Sequence, residues 1–168
     1  NLESTKVQLD RGYVRTSPLL ATDEPGVYAI GDVVALPDRP HPQLAHVASA
    51  EGIGVAERLA GHTVEALNYD RIPSATYCRP ETAGVGLTEA EAKKRGYDVK
   101  VATFPFGALV RAVAGRETDG LIKMVTDAKD DRILVVGIAG ANASDLIAEA
   151  TLAIEAGLTA EDVALTVH

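Results

Sequence analysis

Hydrophobic and polar positions in the first sixty residues predict a hairpin, a buried strand and a helix. Residues 10–12 form a turn signal, and Tyr13–Arg15 is expected to return from that turn as a strand. Residues 27–30 are a short apolar run that predicts a strand buried on both faces. Small and apolar residues at helical spacing then predict a packed helix over residues 43–60, which Gly61 would end.

The pattern changes after a connector at residues 62–74, where we place a domain boundary between residues 1–67 and 72–168. The second region predicts strands at residues 75–78, 83–87, 99–106, 119–126 and 133–138. Pro105 indicates an edge or a bend for the third of these strands, and the apolar run at 133–136 indicates a central position for the last. Together with the helices below, these strands predict an α+β module.

Three helices are predicted in the second region. Thr88 with Glu91 is a capping box that begins a helix reaching about residue 95. Asn142 or Ser144 caps a helix to residue 156, whose apolar stripe is Leu146, Ile147, Ala150 and Ile154. Thr159 with Asp162 resembles a second capping box before a short last helix or turn.

Composition narrows the function classes. An apolar content of 46% and a charged content of 24% are those of a soluble globular protein. The net charge of −8 argues against nucleic acid and against anionic membrane surfaces as partners. No apolar run reaches bilayer length and no signal peptide is visible, so we expect a cytoplasmic protein. Cys78 is the single cysteine, which excludes an intrachain disulfide and fits a reducing compartment.

The most informative dipeptide is Gly31-Asp32, which follows the predicted strand at residues 27–30. Ligands of open α/β sheets lie outside the carboxyl ends of the strands. Gly31 lets the backbone approach a ligand closely, and the Asp32 carboxylate accepts hydrogen bonds from a polyol. By themselves, however, these two residues are also compatible with an ordinary strand-to-loop turn.

Residues 22–33 resemble the second flavin-binding motif of the pyridine-nucleotide disulfide oxidoreductase family. Within that family, residues 42–52 are similar to the Pro-x-Leu-Ala-His-x-Ala segment and following Glu-Gly of the dihydrolipoamide dehydrogenases, although Val47 replaces a more usual lysine. Residues 104–112 resemble the Phe-Pro-Phe-x-Ala-x-x-Arg-Ala segment of the same enzymes. The resemblance implies the end of a flavin-binding α/β domain, followed by an interface domain with an antiparallel sheet and flanking helices.

This resemblance also implies cofactors and site residues. FAD would be bound in part by Gly31, Asp32, Gln43, Leu44, Ala45 and His46. The amides at the helix start would stabilise negative charge on the reduced ring. The NAD site would lie mostly outside this chain. No metal site is expected, because His41 and His46 have no further ligand at suitable spacing.

The parent activity implied is oxidation of protein-bound dihydrolipoamide with NAD as acceptor. Partners would be a second copy, paired through residues 72–168, and the dihydrolipoyl acyltransferase subunit of a 2-oxo acid dehydrogenase complex. No catalytic residue is expected here, since the general base of the family follows the position of His168. The paired redox cysteines and the Gly-x-Gly-x-x-Gly motif are also lacking, so we expect an inactive fragment of a longer enzyme.

Two other functions remain open at this point. The chain could be the same portion of a glutathione or mercuric reductase, although residues 44–46 and 104–106 favour the dihydrolipoamide branch. It could also be a dimerisation module without flavin, which would be colourless. Arg111 is expected at an interface rather than in a purely structural ion pair.

Overall fold

A computed structural model describes every residue from Asn1 to His168. Its contacts divide the chain into two units, Asn1–Asn68 and Tyr69–His168. The first unit contains three strands and one α-helix: β1 (Leu9–Asp10), β2 (Tyr13–Arg15), β3 (Val34–Ala35) and α1 (Ala45–Leu59).

The predicted hairpin is confirmed. Strands β1 and β2 pair antiparallel, with Leu9 opposite Val14. Arg11 and Gly12 connect them with φ values of 49° and 89°. Two consecutive left-handed residues are typical of the tight hairpin turns whose twist matches that of the strands. Strand β3 then pairs parallel to β2 and completes a three-stranded sheet.

The predicted buried strand at residues 27–30 is wrong for this chain. The segment makes one isolated bridge, between Ala21 and Tyr28, and no ladder. Val27 and Ile30 are each 41% exposed. An apolar run forms a strand only where other strands pair with its backbone and cover its side chains, and the described chain supplies neither.

Helix α1 begins two residues later than predicted, because Gln43 has a φ of 56° and Leu44 is extended. It ends at Leu59 with Ala60 as the C-cap, just before Gly61, the residue predicted to stop it. The Gly61 amide donates to the carbonyl of Arg58 and the His62 amide to that of Glu57, as in a Schellman motif. The packing predicted for the apolar residues of this helix is wrong within this chain, since Ile53 and Leu59 are more than half exposed. The buried residues of α1 are Val47 and Glu51.

The second unit is an antiparallel sheet flanked by helices, which confirms the predicted α+β class. Its five strands lie in the order β4-β5-β8-β7-β6. The central and edge positions predicted for β8 and β6 are therefore correct. The elements are β4 (Ser74–Thr76), β5 (Glu81–Gly86), α2 (Glu89–Lys94), β6 (Val99–Pro105), α3 (Val110–Gly115), β7 (Leu121–Asp127), β8 (Ile133–Gly140), α4 (Ala143–Glu155) and α5 (Ala160–Leu165).

The core of this unit lies between α4 and the strands β5 and β8. Ile147 and Ile154 of α4 are buried as predicted, whereas Leu146 is 47% exposed. Burying an aliphatic side chain of this size contributes roughly 1.5–3 kcal/mol. The buried cluster consists of Ala83, Val85, Phe106, Ile133, Val136, Ile138, Ala143, Ile147, Ala153 and Ile154.

Both predicted capping boxes are confirmed. Thr88 accepts from the Glu91 amide, and the Glu91 side chain accepts in return from the Thr88 amide. Thr159 and Asp162 make the equivalent pair at the start of α5. Helix α3 is an element that the pattern does not predict, since no side chain caps it and it is only six residues long.

Candidate functional site

The turn that contains Gly31 and Asp32 packs directly against helix α1. Residues Gly31–Val33 form a 3₁₀ turn, and Gly31 has a φ of 71°. A Cβ at this position would lie 3.1 Å from the Cβ of Ala48. Both the backbone conformation and the close approach to the helix therefore favour glycine at this position. Gly31 is buried, while the Asp32 side chain is exposed at the surface.

The start of α1 is the second part of the predicted site. Leu44 occupies the N-cap position and its side chain makes no capping hydrogen bond. The first turn of a helix carries partial positive charge, and here the Val47 amide donates to the carbonyl of Leu44 at 3.0 Å. Ala45 and His46 are exposed in this first turn, and Leu44 is half-buried. This geometry leaves the helix start open to an electron-rich group.

The structure brings these two parts together through Gln43. Its side-chain amide donates to the backbone carbonyl of Asp32 at 3.4 Å and lies 3.5 Å from the hydroxyl of Tyr13. Gln43 is itself exposed and precedes the helix in a left-handed conformation. The carboxylate turn and the helix start are thus neighbours on one side of the first unit.

Sequence reasoning did not predict the role of Glu51, which lies beneath the turn. Its carboxylate accepts a hydrogen bond from the Gly31 amide at 2.6 Å and pairs with Nε2 of His41 at 2.8 Å. A buried carboxylate needs such partners, because the cost of removing it from water is several kcal/mol. The four-residue spacing from Val47 places Glu51 on the same helix face, but this spacing alone does not indicate that Glu51 accepts hydrogen bonds from Gly31 and His41.

These residues fit FAD in the kinds of groups that they present. The exposed Asp32 carboxylate can accept hydrogen bonds from the hydroxyls of a polyol chain. The uncapped start of α1 can stabilise negative charge on a ring edge. Gly31 allows the turn that carries Asp32 to pack closely against α1 at Ala48.

His41 and His46 do not belong to a metal-binding group, since no cluster of three or more suitable ligands is present.

Cys78 is exposed in the second unit, where its thiol lies 3.0 Å from the carbonyl of Pro80. His168 is exposed and pairs with the Glu149 carboxylate at 2.5 Å, and this hydrogen bond raises the pKa of the imidazole. No helix is long and apolar enough to span a membrane.

The second unit exposes an apolar surface around β6 and α3. Phe106 is buried against Gly140, whereas the other phenylalanine, Phe104, is 47% exposed. Arg111 is exposed and lines a surface cavity of about 750 Å³. The large exposed apolar residues at the end of β6 and in the α3 segment, called here the β6–α3 surface, are Phe104, Leu109, Val110 and Val113.

Both units of the chain match models of known protein families. Residues 72–168 match the dimerisation domain of the pyridine nucleotide-disulphide oxidoreductases, and this match covers more than half of the chain. The chain belongs to the pyridine nucleotide-disulphide oxidoreductase family. Residues 1–52 match a second model of the same family. The family resemblance predicted from the motifs is therefore confirmed.

The chain is similar to curated enzymes named dihydrolipoyl dehydrogenase. The chain is 46% identical over 168 residues to the dihydrolipoyl dehydrogenase of Bacillus subtilis (strain 168), covering 99% of the chain and 34% of that enzyme. It is 50% identical to the dihydrolipoyl dehydrogenase of Thermus scotoductus, covering 99% of the chain and 35% of that enzyme. The chain thus spans about a third of the length of the curated relatives it matches.

Solved structures show the same fold. LpdA from Mycobacterium tuberculosis superposes with a TM-score of 0.89 at 24% identity, over 100% of this chain and 36% of that one. The HOCl-induced flavoprotein disulfide reductase RclA from Escherichia coli superposes with a TM-score of 0.86 at 24% identity, over 100% of this chain and 38% of that one. At this level of identity the similarity concerns the fold alone.

Proposed function

We propose that the chain is the C-terminal portion of a flavin-dependent dihydrolipoyl dehydrogenase. The observation that carries this proposal is the identity of 46–50% to dihydrolipoyl dehydrogenases along nearly the whole chain. The parent enzyme would oxidise protein-bound dihydrolipoamide and reduce NAD. Its substrate would be carried by the acyltransferase subunit of a 2-oxo acid dehydrogenase complex.

Each region of the chain has a part in this proposal. Residues 1–67 form the end of the FAD-binding domain together with the tail of the preceding nicotinamide domain. Gly31, Asp32 and the helix start at residues 43–46 bind FAD, which supplies the redox chemistry when bound. Residues 72–168 form the homodimer interface, and the exposed β6–α3 surface supports this assignment.

The chemistry that completes the reaction lies elsewhere in the parent enzyme. In the parent enzyme the redox cysteines would lie before the residues described, and the general base would lie after His168. NAD is bound mostly outside the chain. We place the enzyme in the cytoplasm without a nucleic-acid or membrane partner, and the single cysteine and net charge of −8 support that placement.

The proposal is tested with the complete parent polypeptide, purified and titrated with FAD in the dark. A Kd is obtained from quenching of flavin fluorescence, and NAD-dependent oxidation of dihydrolipoamide is followed at the NADH absorbance. We expect a yellow protein with this activity, and we expect Asp32→Ala to weaken FAD binding about 10- to 100-fold through loss of charge-assisted hydrogen bonds.

A matched control is Asp38→Ala, which removes an exposed carboxylate from the same unit. This variant should bind FAD as tightly as the unmodified protein. A polypeptide that stays colourless with excess FAD, or one in which Asp32→Ala and Asp38→Ala bind FAD equally well, contradicts the proposed FAD site.

A further inference from the structure

A buried hydrogen-bond chain connects the two parts of the candidate site. Glu51 of α1 accepts from the Gly31 amide at 2.6 Å and is 2.8 Å from Nε2 of His41. The side chains of His41 and Glu51 are only 2% and 0% exposed. A single carboxylate of α1 therefore contacts both the turn that carries Asp32 and the loop that precedes the helix.

The second nitrogen of the imidazole extends the chain of bonds. The backbone amide of Gln43 donates to Nδ1 of His41 at 3.0 Å. Because Nδ1 accepts this bond, the ring proton lies on Nε2 and is donated to Glu51. The bonds run from Gly31 through Glu51 and His41 to Gln43, so that one continuous path joins the turn to the residue before the helix start.

We propose that Glu51 and His41 are positioning residues that set the Gly31-Asp32 turn relative to the start of α1, so that both contact one flavin. This inference rests on the proposed function. It names two residues whose side chains are buried and hydrogen-bonded to the backbone of Gly31 and Gln43. Gly31 is the residue immediately before Asp32, and Gln43 is the residue immediately before Leu44, so these hydrogen bonds fix the backbone next to both parts of the candidate site.

Substitutions at Glu51 separate the two bonds. Glu51→Ala removes the acceptor shared by the Gly31 amide and the His41 ring. Glu51→Gln keeps one oxygen that can accept and replaces the other with an NH₂ group. This NH₂ group faces a donor and cannot accept from it, so only one of the two bonds is retained. Positioning therefore predicts a graded series, in which the glutamine variant lies between the unmodified protein and the alanine variant.

The first arm of the test needs no cofactor. Long-range ¹H–¹⁵N NMR spectra of the complete parent polypeptide, labelled with ¹⁵N at histidine and glycine, report which nitrogen of His41 carries the proton. We expect Nε2–H with an unprotonated Nδ1, and a Gly31 amide resonance that moves upfield in Glu51→Gln. A proton on Nδ1 of His41, or a Gly31 amide unaffected by Glu51→Gln, contradicts the bond chain itself.

The second arm uses the complete parent polypeptide and FAD. We expect Glu51→Ala to raise the Kd for FAD about 10- to 100-fold, and Glu51→Gln and His41→Ala to raise it about 3- to 30-fold. At saturating FAD, Glu51→Gln should also change the visible circular dichroism of the flavin, because the ring then meets a displaced helix start. Glu57→Ala and His62→Ala, which alter exposed residues in and after the same helix, should change neither measurement.

Comparison with Asp32→Ala distinguishes the possible failures. If Asp32→Ala weakens FAD binding while the variants of Glu51 and His41 bind FAD normally with an unchanged flavin spectrum, positioning is refuted and the FAD site stands. If neither set changes FAD binding, the proposed function fails as well. Should Glu51→Ala not fold, Glu51→Gln and His41→Ala decide the outcome in the same way.

Discussion

The close approach between Gly31 and Ala48 gives the sharpest quantitative prediction. Gly31→Ala places a Cβ 3.1 Å from the Cβ of Ala48, at a φ of 71°. Ordinary contacts between carbon atoms are about 3.5–4.0 Å, so the turn must move away from α1. That movement also lengthens the hydrogen bond from the Gly31 amide to Glu51, which is 2.6 Å in the structure.

The stability that Gly31→Ala loses is the sum of two separate costs. A left-handed alanine costs about 1–2 kcal/mol relative to glycine. Overpacking against Ala48 adds about 1–3 kcal/mol. Gly26→Ala provides a matched control, because Gly26 has a φ of 78° but no atom within 4 Å of its added Cβ. The control therefore carries the first cost without the second.

The assay is a double-mutant cycle with Ala48→Gly, which removes the atom that the new Cβ meets. The free energy of unfolding is measured by native-state hydrogen exchange at amides of the first unit in urea. Gly31→Ala should be about 1–3 kcal/mol less stable than Gly26→Ala, and Ala48→Gly should restore most of this difference after its own helix cost of about 1 kcal/mol is subtracted. Equal losses in the two glycine variants, or no rescue by Ala48→Gly, would refute the close approach.

Three further predictions concern the second unit. Hydrogen bonds from Lys123 and Lys93, the first being the larger cause, lower the pKa of Glu89 from 4.5 to about 2. The stability that these bonds provide is complete above pH 4.5 and is lost as the pH falls towards 2. The difference in unfolding free energy between the unmodified chain and Glu89→Gln, measured by urea titration, should therefore shrink over that range. Thr159→Ala removes the acceptor of a capping box and should cost about 0.5–2 kcal/mol in the same assay, whereas Thr159→Ser should cost much less. Phe104→Ser should shift the sedimentation of the parent enzyme from dimer towards monomer with unchanged circular dichroism, and an unchanged dimer would remove Phe104 from the interface.

Elements determined by local chemistry could be predicted from the sequence. The capping boxes at Thr88 and Thr159 depend on residues three positions apart, and the hairpin at residues 9–15 depends on its turn. The central position of β8 follows from its continuous apolar run, since a strand with neighbours on both sides is covered most completely. Short-range patterns of this kind do not require knowledge of distant residues.

Features that depend on distant parts of the chain could not be predicted. The strand expected at residues 27–30 failed because its hydrogen-bonding partners are not among the described residues. The burial of Glu51 depends on Gly31, twenty positions earlier, and on His41. Sequence spacing alone does not reveal that a glutamate in an alanine-rich helix will accept a backbone hydrogen bond from a turn.

The most direct test of the proposed FAD site is a crystal structure of the complete parent enzyme with FAD bound, in which the distance from the Asp32 carboxylate to the ribityl hydroxyls is measured. We predict an O–H···O distance of about 2.5–3.0 Å, with the start of α1 facing the ring of the same FAD molecule. A flavin bound elsewhere, with the Asp32 carboxylate in solvent, would contradict the proposed role of this turn.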